Sequence, residues 1–360
     1  MNIIERISES STVQEWFQKL TGNHRQLITG LSGSAKTLVM TSGYRYKKKK
    51  MIVAVPNLYY ANQLVEDFRN LLPEEDVHLF PVDEVLSAEM AFSSPEARAD
   101  RIETLNFLLS RKAGVVVVPA AGLRKLLPEK KTWKQAQLQW KIGTEVDPAV
   151  LAQQLVLMGY ERQSLVGKPG EFSIRGSIID VYPLNAQYPV RAELFDVEID
   201  SLRYFEADTQ RSVETIDSVS VAPVTDAIYS EEDLKGGIVR LQELLEKRLS
   251  VTKEKTDKVF LEEYFGQLIA SWEDGLPTEN ARYYADLLYK EAVTILDYLP
   301  EDSLLVVDDY ARILETEREI AREEAEWHTL KIEEQRVFSE QTFGVGIHDQ
   351  LRQQRFAATF

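Results

Sequence analysis

The chain has 360 residues, contains no cysteine, is 44% hydrophobic and carries a formal net charge of −16. This length predicts two or three domains, and the lack of cysteine excludes disulfides, thiolate zinc sites and iron–sulfur clusters. Because no apolar run approaches the roughly 18 residues of a membrane-spanning helix and the N-terminus lacks a secretion signal, we expect a cytoplasmic protein without a membrane partner.

The acidic charge is concentrated in one part of the sequence. Residues 1–220 hold 28 acidic and 26 basic side chains, whereas residues 221–340 hold 29 and 14. DNA-binding surfaces are usually basic, because neutralising phosphates supplies most of their affinity. The sequence therefore gives no sign of a large DNA-binding face.

The first 127 residues alternate between helical and strand patterns. Short apolar strands are predicted at "QLITG", "MIVAV", "VHLF" and "GVVVVP", and the segments between them have the spacing of amphipathic helices. Strands that are apolar on both faces and are separated by helices indicate a parallel sheet covered on both sides. We predict the first part of an α/β domain here.

A nucleotide-binding motif is incomplete between the first strand and the next helix. The sequence "GLSGSAKT" at 30–37 follows the phosphate-binding pattern G-x-x-x-x-G-K-[ST], except that alanine replaces the glycine before the lysine. A methyl group there would stand beside a phosphate or strain the turn. We predict a vestigial nucleotide site that requires no cofactor, with weak residual binding as the alternative. Its residues are Gly30, Ala35, Lys36, Thr37 and Asp308, where Asp308 is the magnesium-side acid on the strand "SLLVVDD".

The pattern changes between about 128 and 223. Alternating strands broken by glycine, proline and aspartate replace the helix–strand alternation, which is typical of hairpins. The strands are predicted in "KTWKQAQLQWKIG", "GEFSIRGSIIDVYP", "VRAELFDVEIDSLRYF" and "SVSVAP". One helix, "DPAVLAQQLVLMGY", begins with Asp147 as its cap and Pro148 in its first turn. We predict an inserted α+β domain.

Helical patterns return after residue 224. "LKGGIVRLQELLEKRL" and "ENARYYADLLYKEAVTILDYL" are predicted amphipathic helices, and the acidic helix "ARILETEREIAREEAEW" is predicted to be solvated or to lie between domains. The strand "SLLVVDD" between them fits the sheet of the first segment. The predicted organisation is a discontinuous domain of residues 1–127 and 224–337, an inserted domain of residues 128–223, and a linker from 338 to 360.

Four motifs in this order resemble the N-terminal region of the bacterial transcription-repair coupling factors (Mfd), which is itself similar to the excision-repair subunit UvrB. They are "LITGLSGSAKT", "VAVPNLYYANQL", "GEFSIRGSIIDVYP…VRAELFDVEIDSLRYF" and "LDYLPEDSLLVVDD". The resemblance covers roughly residues 10–340. It implies that the discontinuous domain is a RecA-like parallel-sheet domain with a degenerate phosphate-binding loop.

The sequence departs from the UvrB pattern where UvrB carries motor chemistry. UvrB has a complete glycine loop, an acid and a histidine after the counterpart of Asp308, and a long tyrosine-rich hairpin that clamps DNA. This chain has Ala35, then Asp309 and Tyr310, and only "PVDEVLSAEMAFSS" in place of the hairpin. No second motor lobe is present up to Phe360, although this helicase class hydrolyses ATP between two lobes. We therefore expect no enzyme activity.

In the family, the inserted domain docks onto UvrA, the damage-recognition ATPase. The matching positions are Arg175, Arg191 and Phe195. Because Arg191 and Phe195 are four apart on a strand, they should lie on one face, and two arginines with an aromatic have the composition of an interface hot spot. The alternative from composition alone is that the arginines pair with Glu171, Glu193 or Asp196 and that Phe195 belongs to the core.

The resemblance, together with the altered motor motifs, thus implies a non-catalytic adaptor that brings UvrA to stalled RNA polymerase. The resemblance implies that RNA polymerase and double-stranded DNA are contacted by other parts of the parent protein, which is implied to be an ATP-dependent translocase. The alternatives are a residual nucleotide-binding ATPase and a DNA-binding module like UvrB.

Overall fold

The structure of the chain, a computed structural model, describes residues 3–19, 26–83, 94–275, 279–353 and 357–359. The fold is α/β and contains both a parallel and an antiparallel sheet. Contacts between Cα atoms group the chain into two compact units. Unit 1 comprises residues 1–126 and 292–360, and unit 2 comprises residues 127–291.

The first stretch of unit 1 contains six helices and four strands within the described residues. The helices are α1 (Ile3–Ser8), α2 (Ser11–Lys19), α3 (Ser34–Lys47), α4 (Leu58–Arg69), α5 (Pro95–Leu109) and α6 (Ala120–Arg124). The strands are β1 (Gln26–Leu27), β2 (Lys50–Val55), β3 (Val77–Leu79) and β4 (Gly114–Pro119). Side chains cap two of these helices, since Asn57 accepts from the Tyr60 amide and Ser94 from the Ala97 amide.

Unit 2 contains the hairpins and a group of helices. The helices are α7 (Lys130–Gln135), α8 (Pro148–Leu157), α9 (Glu231–Val251), α10 (Lys255–Glu273) and α11 (Ala285–Leu288). The strands are β5 (Leu138–Lys141), β6 (Glu161–Arg162), β7 (Glu171–Arg175), β8 (Ile178–Val181), β9 (Val190–Phe195), β10 (Glu198–Phe205), β11 (Ser212–Ile216) and β12 (Ser218–Val221). As predicted, the Asp147 carboxylate caps α8 by accepting from the amides of Ala149 and Val150.

The chain then returns to unit 1. The elements are β13 (Leu304–Val307), α12 (Tyr310–Glu333), α13 (Ile347–Gln353) and β14 (Ala357–Thr359). Short 3₁₀ helices at Glu74–Asp76, Glu279–Tyr284 and Ile295–Tyr298 complete the described elements.

The sheet of unit 1 is parallel, as the sequence predicted. Its order is β1-β14-β13-β2-β4-β3, and every pairing between neighbouring strands is parallel. All six residues of β2 and of β4 are buried. A strand buried on both faces must be apolar throughout, which explains the uninterrupted runs of these two segments.

The larger sheet of unit 2 has one buried face. Its order is β11-β10-β9-β8-β7-β6, antiparallel except for the pairing of β6 with β7. Alternate residues of β7 to β10 join Leu151 and Leu155 of α8 in one apolar cluster. The face that packs on α8 is called the inner face below, and the opposite one the outer face. This alternation is the period-2 pattern from which the hairpins were predicted.

Two sequence predictions of regular structure were wrong. The segment 131–143 was predicted as a strand, but its first residues belong to α7. The segment 279–299 was predicted as one helix, but it breaks after Leu288, where the carbonyls of Leu287 and Leu288 accept from the Arg240 guanidinium. A new turn starts at Thr294, whose amide and hydroxyl both donate to Asp297. Helix α10 was not predicted at all.

The segment 338–360 differs from the predicted linker. Ile347 and Leu351 of α13 are buried, and β14 lies in the sheet between β1 and β13. Because β1 pairs with β14, the last described strand connects the glycine-loop strand to the rest of the sheet. The contact grouping also assigns residues 224–291 to unit 2, whereas the sequence placed them with the discontinuous domain. The predicted domain boundaries otherwise stay a prediction.

Candidate protein-interaction site

The outer face of the unit 2 sheet carries the predicted interface residues. On β9, Val190, Ala192 and Leu194 belong to the apolar cluster, so the side chains between them project from the outer face. Strand register places Ser173, Asp180, Arg191 and Arg203 in one row across four strands. The outer face is therefore polar and charged where the inner face is apolar.

A single carboxylate holds both predicted arginines. Asp180 is only 1% exposed. Its Oδ1 accepts from Nε of Arg191 at 2.6 Å and its Oδ2 from Nη2 of Arg191 at 2.8 Å, which is a two-point pair. Nη2 of Arg175 donates to the same Oδ2 at 2.8 Å. Because the strands fix all three Cα positions, Asp180 links β7, β8 and β9 through their side chains.

Arg191 is held on two further sides. Its Nη2 donates to Oε1 of Gln210 at 2.6 Å, and its guanidinium carbon lies 4.2 Å from the centre of the buried Phe205 ring. The hydrogen bond to Asp180 raises the pKa of Arg191 despite the burial. Arg191 therefore keeps its charge at 8% exposure, whereas the Arg175 side chain remains 38% exposed.

A second ion pair lies beside the first on the outer face. Nη2 of Arg203 donates to Oε1 of Glu193, and the Ser201 hydroxyl contacts the other oxygen of the same carboxylate at 3.4 Å. The bond from Arg203 lowers the pKa of Glu193. Glu193 and Arg203 neutralise each other, and the Arg175–Asp180–Arg191 cluster, with two cations and one anion, carries one net positive charge.

Phe195 lies at the end of β9 where the chain turns into β10. Asp196 occupies the left-handed region at φ 57°, and Phe195 pairs with Glu198 across the turn. Phe195 is 79% exposed and the next apolar residue, Val197, is 44% exposed. An aromatic ring so exposed contributes little to the fold, and rings of this kind are enriched in protein interfaces.

The predicted site residues thus share one face but have different surroundings. Neither arginine pairs with the acids weighed from composition, because Asp180 takes both, and Phe195 is not a core residue. Asp180, Phe205 and Gln210 were missed. The period-2 pattern of "SIIDVYP" could have found Asp180, because an aspartate flanked by core-facing isoleucine and valine must project from the outer face. A partner-binding role for these residues stays a prediction.

The glycine loop of unit 1 has a locally closed backbone. Gly30 and Gly33 adopt positive φ angles of 86° and 54°. The amide of Ala35 donates to the carbonyl of Ser32 at 3.3 Å, and that of Lys36 to the carbonyl of Gly33 at 3.1 Å. A phosphate cradle needs these amides to point at the ligand. Here two of them are engaged within the loop.

The side chains of the predicted nucleotide site are brought together. Nζ of Lys36 lies 2.5 Å from Oδ1 of Asp308, at the end of β13. The hydroxyl of Thr37 donates to Asp67 at 3.2 Å. Lys36 and Asp308 therefore satisfy each other, and the cation expected to reach a phosphate is neutralised by the acid expected on the magnesium side.

The lysine run at 47–50 has ordinary structural surroundings. In the run "KKKK", Lys48 caps α3 in the left-handed conformation, Lys49 pairs with Asp302 at 2.8 Å and Lys50 donates to the Ser110 carbonyl. Within the described residues, no group of three histidine or acidic side chains could hold a metal ion, and no helix is long and apolar enough to cross a membrane. The stretch compared with the UvrB hairpin lies largely outside the described residues, at 84–93.

Comparison with known proteins confirms the resemblance that the motifs indicated. The family described as the UvrB interaction domain matches residues 138–226, which contain the whole outer face. The transcription-repair-coupling factor of Bacillus subtilis (strain 168) is 36% identical over 93% of the chain. Those of Staphylococcus haemolyticus (strain JCSC1435) and Staphylococcus epidermidis (strain ATCC 12228 / FDA PCI 1200) are 34% and 33% identical over 91% and 95% of the chain.

The matched region is a small part of those relatives. The chain spans 29% of the Bacillus subtilis protein and 28% of the Staphylococcus haemolyticus protein.

Proposed function

We propose that this chain is the UvrB-like region of a transcription-repair coupling factor and that it recruits UvrA through the outer face of the unit 2 sheet. The proposal starts from the confirmed similarity to these factors and to the UvrB interaction domain. The single observation that carries it is the outer face, where the exposed Phe195 lies on the same strand as Arg191 of the charged Arg175–Asp180–Arg191 cluster.

The chemistry of this face favours an acidic partner surface with an apolar recess. The cluster carries one net positive charge, and guanidinium groups bind carboxylates in two-point geometry. Phe195 can insert its ring into a recess with little loss of conformational freedom, because only two side-chain torsions must be fixed. Aromatic and arginine anchors supply most of the affinity in protein interfaces. UvrA is the partner that the family resemblance implies.

Unit 1 is proposed to be a RecA-like domain whose phosphate-binding loop no longer binds nucleotide. The closed loop amides and the Lys36–Asp308 pair support this view. The chain therefore acts as an adaptor without catalysis of its own. ATP-dependent translocation and the contacts with DNA and RNA polymerase are proposed to belong to the rest of the coupling factor.

The test is a calorimetric titration of the chain with its cognate UvrA, using wild type and Phe195→Ala. Because Phe195 is 79% exposed, its truncation should leave the fold intact and weaken binding about tenfold or more. The matched control is Val150→Ala, a half-exposed valine on α8, the helix that covers the inner face. We expect the control to bind like wild type.

Two results would contradict the proposal. If wild type does not bind UvrA, the adaptor function is wrong. If Phe195→Ala and Val150→Ala both bind like wild type, UvrA binds elsewhere on the chain.

A further inference from the structure

We infer that Asp180 is a positioning residue of the UvrA-binding face, and that it works by holding the guanidinium groups of Arg175 and Arg191 in their binding orientations. The inference rests on the proposed function. Asp180 touches both arginines but is itself only 1% exposed, so a partner cannot contact it directly. Its effect on binding must pass through the two arginines.

Both arginines keep hydrogen-bond donors that a partner could use. Within the part of the chain that the structure describes, Arg191 uses Nε and both hydrogens of Nη2, which leaves the two hydrogens of Nη1. Arg175 uses one hydrogen of Nη2, which leaves four donors on a side chain that is 38% exposed. Asp180 therefore immobilises both groups and leaves each of them with donors for a partner.

The surroundings of Arg191 show that its orientation is fixed on three sides. Asp180 binds one edge of the Arg191 guanidinium in a two-point pair. Gln210, in the connection between β10 and β11, accepts from Nη2, and the Phe205 ring covers one flat face of the guanidinium. Gln210 is itself anchored, because its amide nitrogen donates to the carbonyl of Ala207 at 2.7 Å. Binding through a side chain that is already ordered avoids the conformational entropy loss that a mobile arginine would suffer.

A buried carboxylate beside two cations could also act in the opposite way. It could neutralise the arginines and weaken their attraction for an acidic partner. The two roles predict changes of opposite sign when the charge is removed. Positioning predicts weaker binding for Asp180→Asn, whereas neutralisation predicts tighter binding.

The experiment is the UvrA titration with Asp180→Asn beside the control Glu243→Gln, which removes one exposed negative charge from α9 in the same unit. We expect about tenfold weaker binding for Asp180→Asn, because two long side chains lose their fixed orientation, and no change for the control. Wild-type or tighter binding by Asp180→Asn overturns the inference while leaving the proposed function intact.

Double-variant measurements separate positioning from a general loss of structure. The effect of Asp180→Asn should shrink in an Arg175→Ala background, because the two residues act as one unit, and should persist in a Phe195→Ala background. An equal loss in both backgrounds contradicts positioning.

If Asp180→Asn does not fold, Gln210→Ala replaces it, since it removes a partly exposed tether of Arg191. A loss of a few-fold is expected, and unchanged binding overturns the inference. Absence of wild-type binding would instead remove the proposed function on which the inference rests.

Discussion

Single side chains on the outer face differ in how strongly they are held by the fold and in how much of each is accessible to a partner. Arg191 is 8% exposed and its charge is balanced inside the fold by Asp180. Arg175 has the same partner but its side chain is 38% exposed, and Phe195 is 79% exposed. A substitution of Arg191 should therefore affect both stability and binding, whereas substitutions of Arg175 and Phe195 should affect mainly binding.

The stability of two arginine variants should differ accordingly. Arg191→Ala leaves the buried Asp180 carboxylate with Arg175 as its one counter-charge among the described residues, so we expect a loss of about 3 kcal/mol in the free energy of unfolding. Arg175→Ala should lose less than about 1 kcal/mol, because that side chain is partly solvated. Urea unfolding of both variants measures the difference. Equal losses would mean that Asp180 does not depend on Arg191.

A buried histidine in unit 1 should make stability depend on pH. His78 stacks on Phe107 with ring centres 4.0 Å apart, and burial lowers its pKa to about 4. The carboxylate of Glu103 lies 3.6 Å from its Nδ1, and the charges of Asp76, Arg69 and Lys112 also act on it.

The sign of that dependence follows from proton uptake. Below pH 6.5 the unfolded chain binds a proton on His78 that the folded chain does not bind until about pH 4. The free energy of unfolding therefore decreases as the pH is lowered from 6.5 to about 4. In His78→Leu the free energy of unfolding should decrease less over this pH range than in wild type, by up to about 3 kcal/mol. This value is the pKa difference between the folded and unfolded chain expressed as free energy. Urea unfolding at pH 7 and pH 4.5 compares the two proteins. Parallel pH profiles would show that His78 titrates normally.

Among the elements, the glycine loop shows most clearly which features of a site the sequence predicts and which it does not. The sequence identified the loop and its alanine, but the Lys36–Asp308 pair joins residues 272 positions apart and required the sheet order to be known. Similarly, the partner of the outer-face arginines could not be read from composition. Several acids were available, and strand register selects among them.

We expect wild-type chain to show no saturable ATP binding. Two loop amides bond within the loop and Lys36 is neutralised by Asp308, so a phosphate would have to displace both sets of contacts. Calorimetric titration with Mg-ATP measures this directly. Saturable binding that disappears in Lys36→Ala would contradict the expectation and support the residual ATPase alternative.

Helix α13 should contribute to the fold of unit 1, in contrast to a linker. Ile347 is fully buried, and its amide donates to Oε1 of Glu317 at 2.6 Å. Ile347→Ala should therefore lower the free energy of unfolding by about 2 to 4 kcal/mol. Val251→Ala, at 68% exposure, is the control and should change stability by less than about 0.5 kcal/mol. Equal, small effects of both variants on urea unfolding would restore the linker interpretation.

At the scale of the whole molecule, the sequence predicted the parallel sheet and the hairpin region because their hydrophobic periods differ. It did not predict that residues 224–291 group with unit 2, because an amphipathic helix shows that one face is buried but not which element buries it. The C-terminal strand β14 was missed for a related reason. A three-residue strand is too short to display a period, and pairing with β1 and β13 defines it.

The central claim is that UvrA binds the outer face of the unit 2 sheet. Hydrogen–deuterium exchange of the chain, alone and saturated with UvrA, tests it most directly, because exposed turn amides exchange quickly and become protected when covered. We predict slower exchange at the turns 175–178 and 195–198, which border Arg175 and Phe195. Unchanged exchange at both turns, with protection confined to unit 1, would contradict the claim.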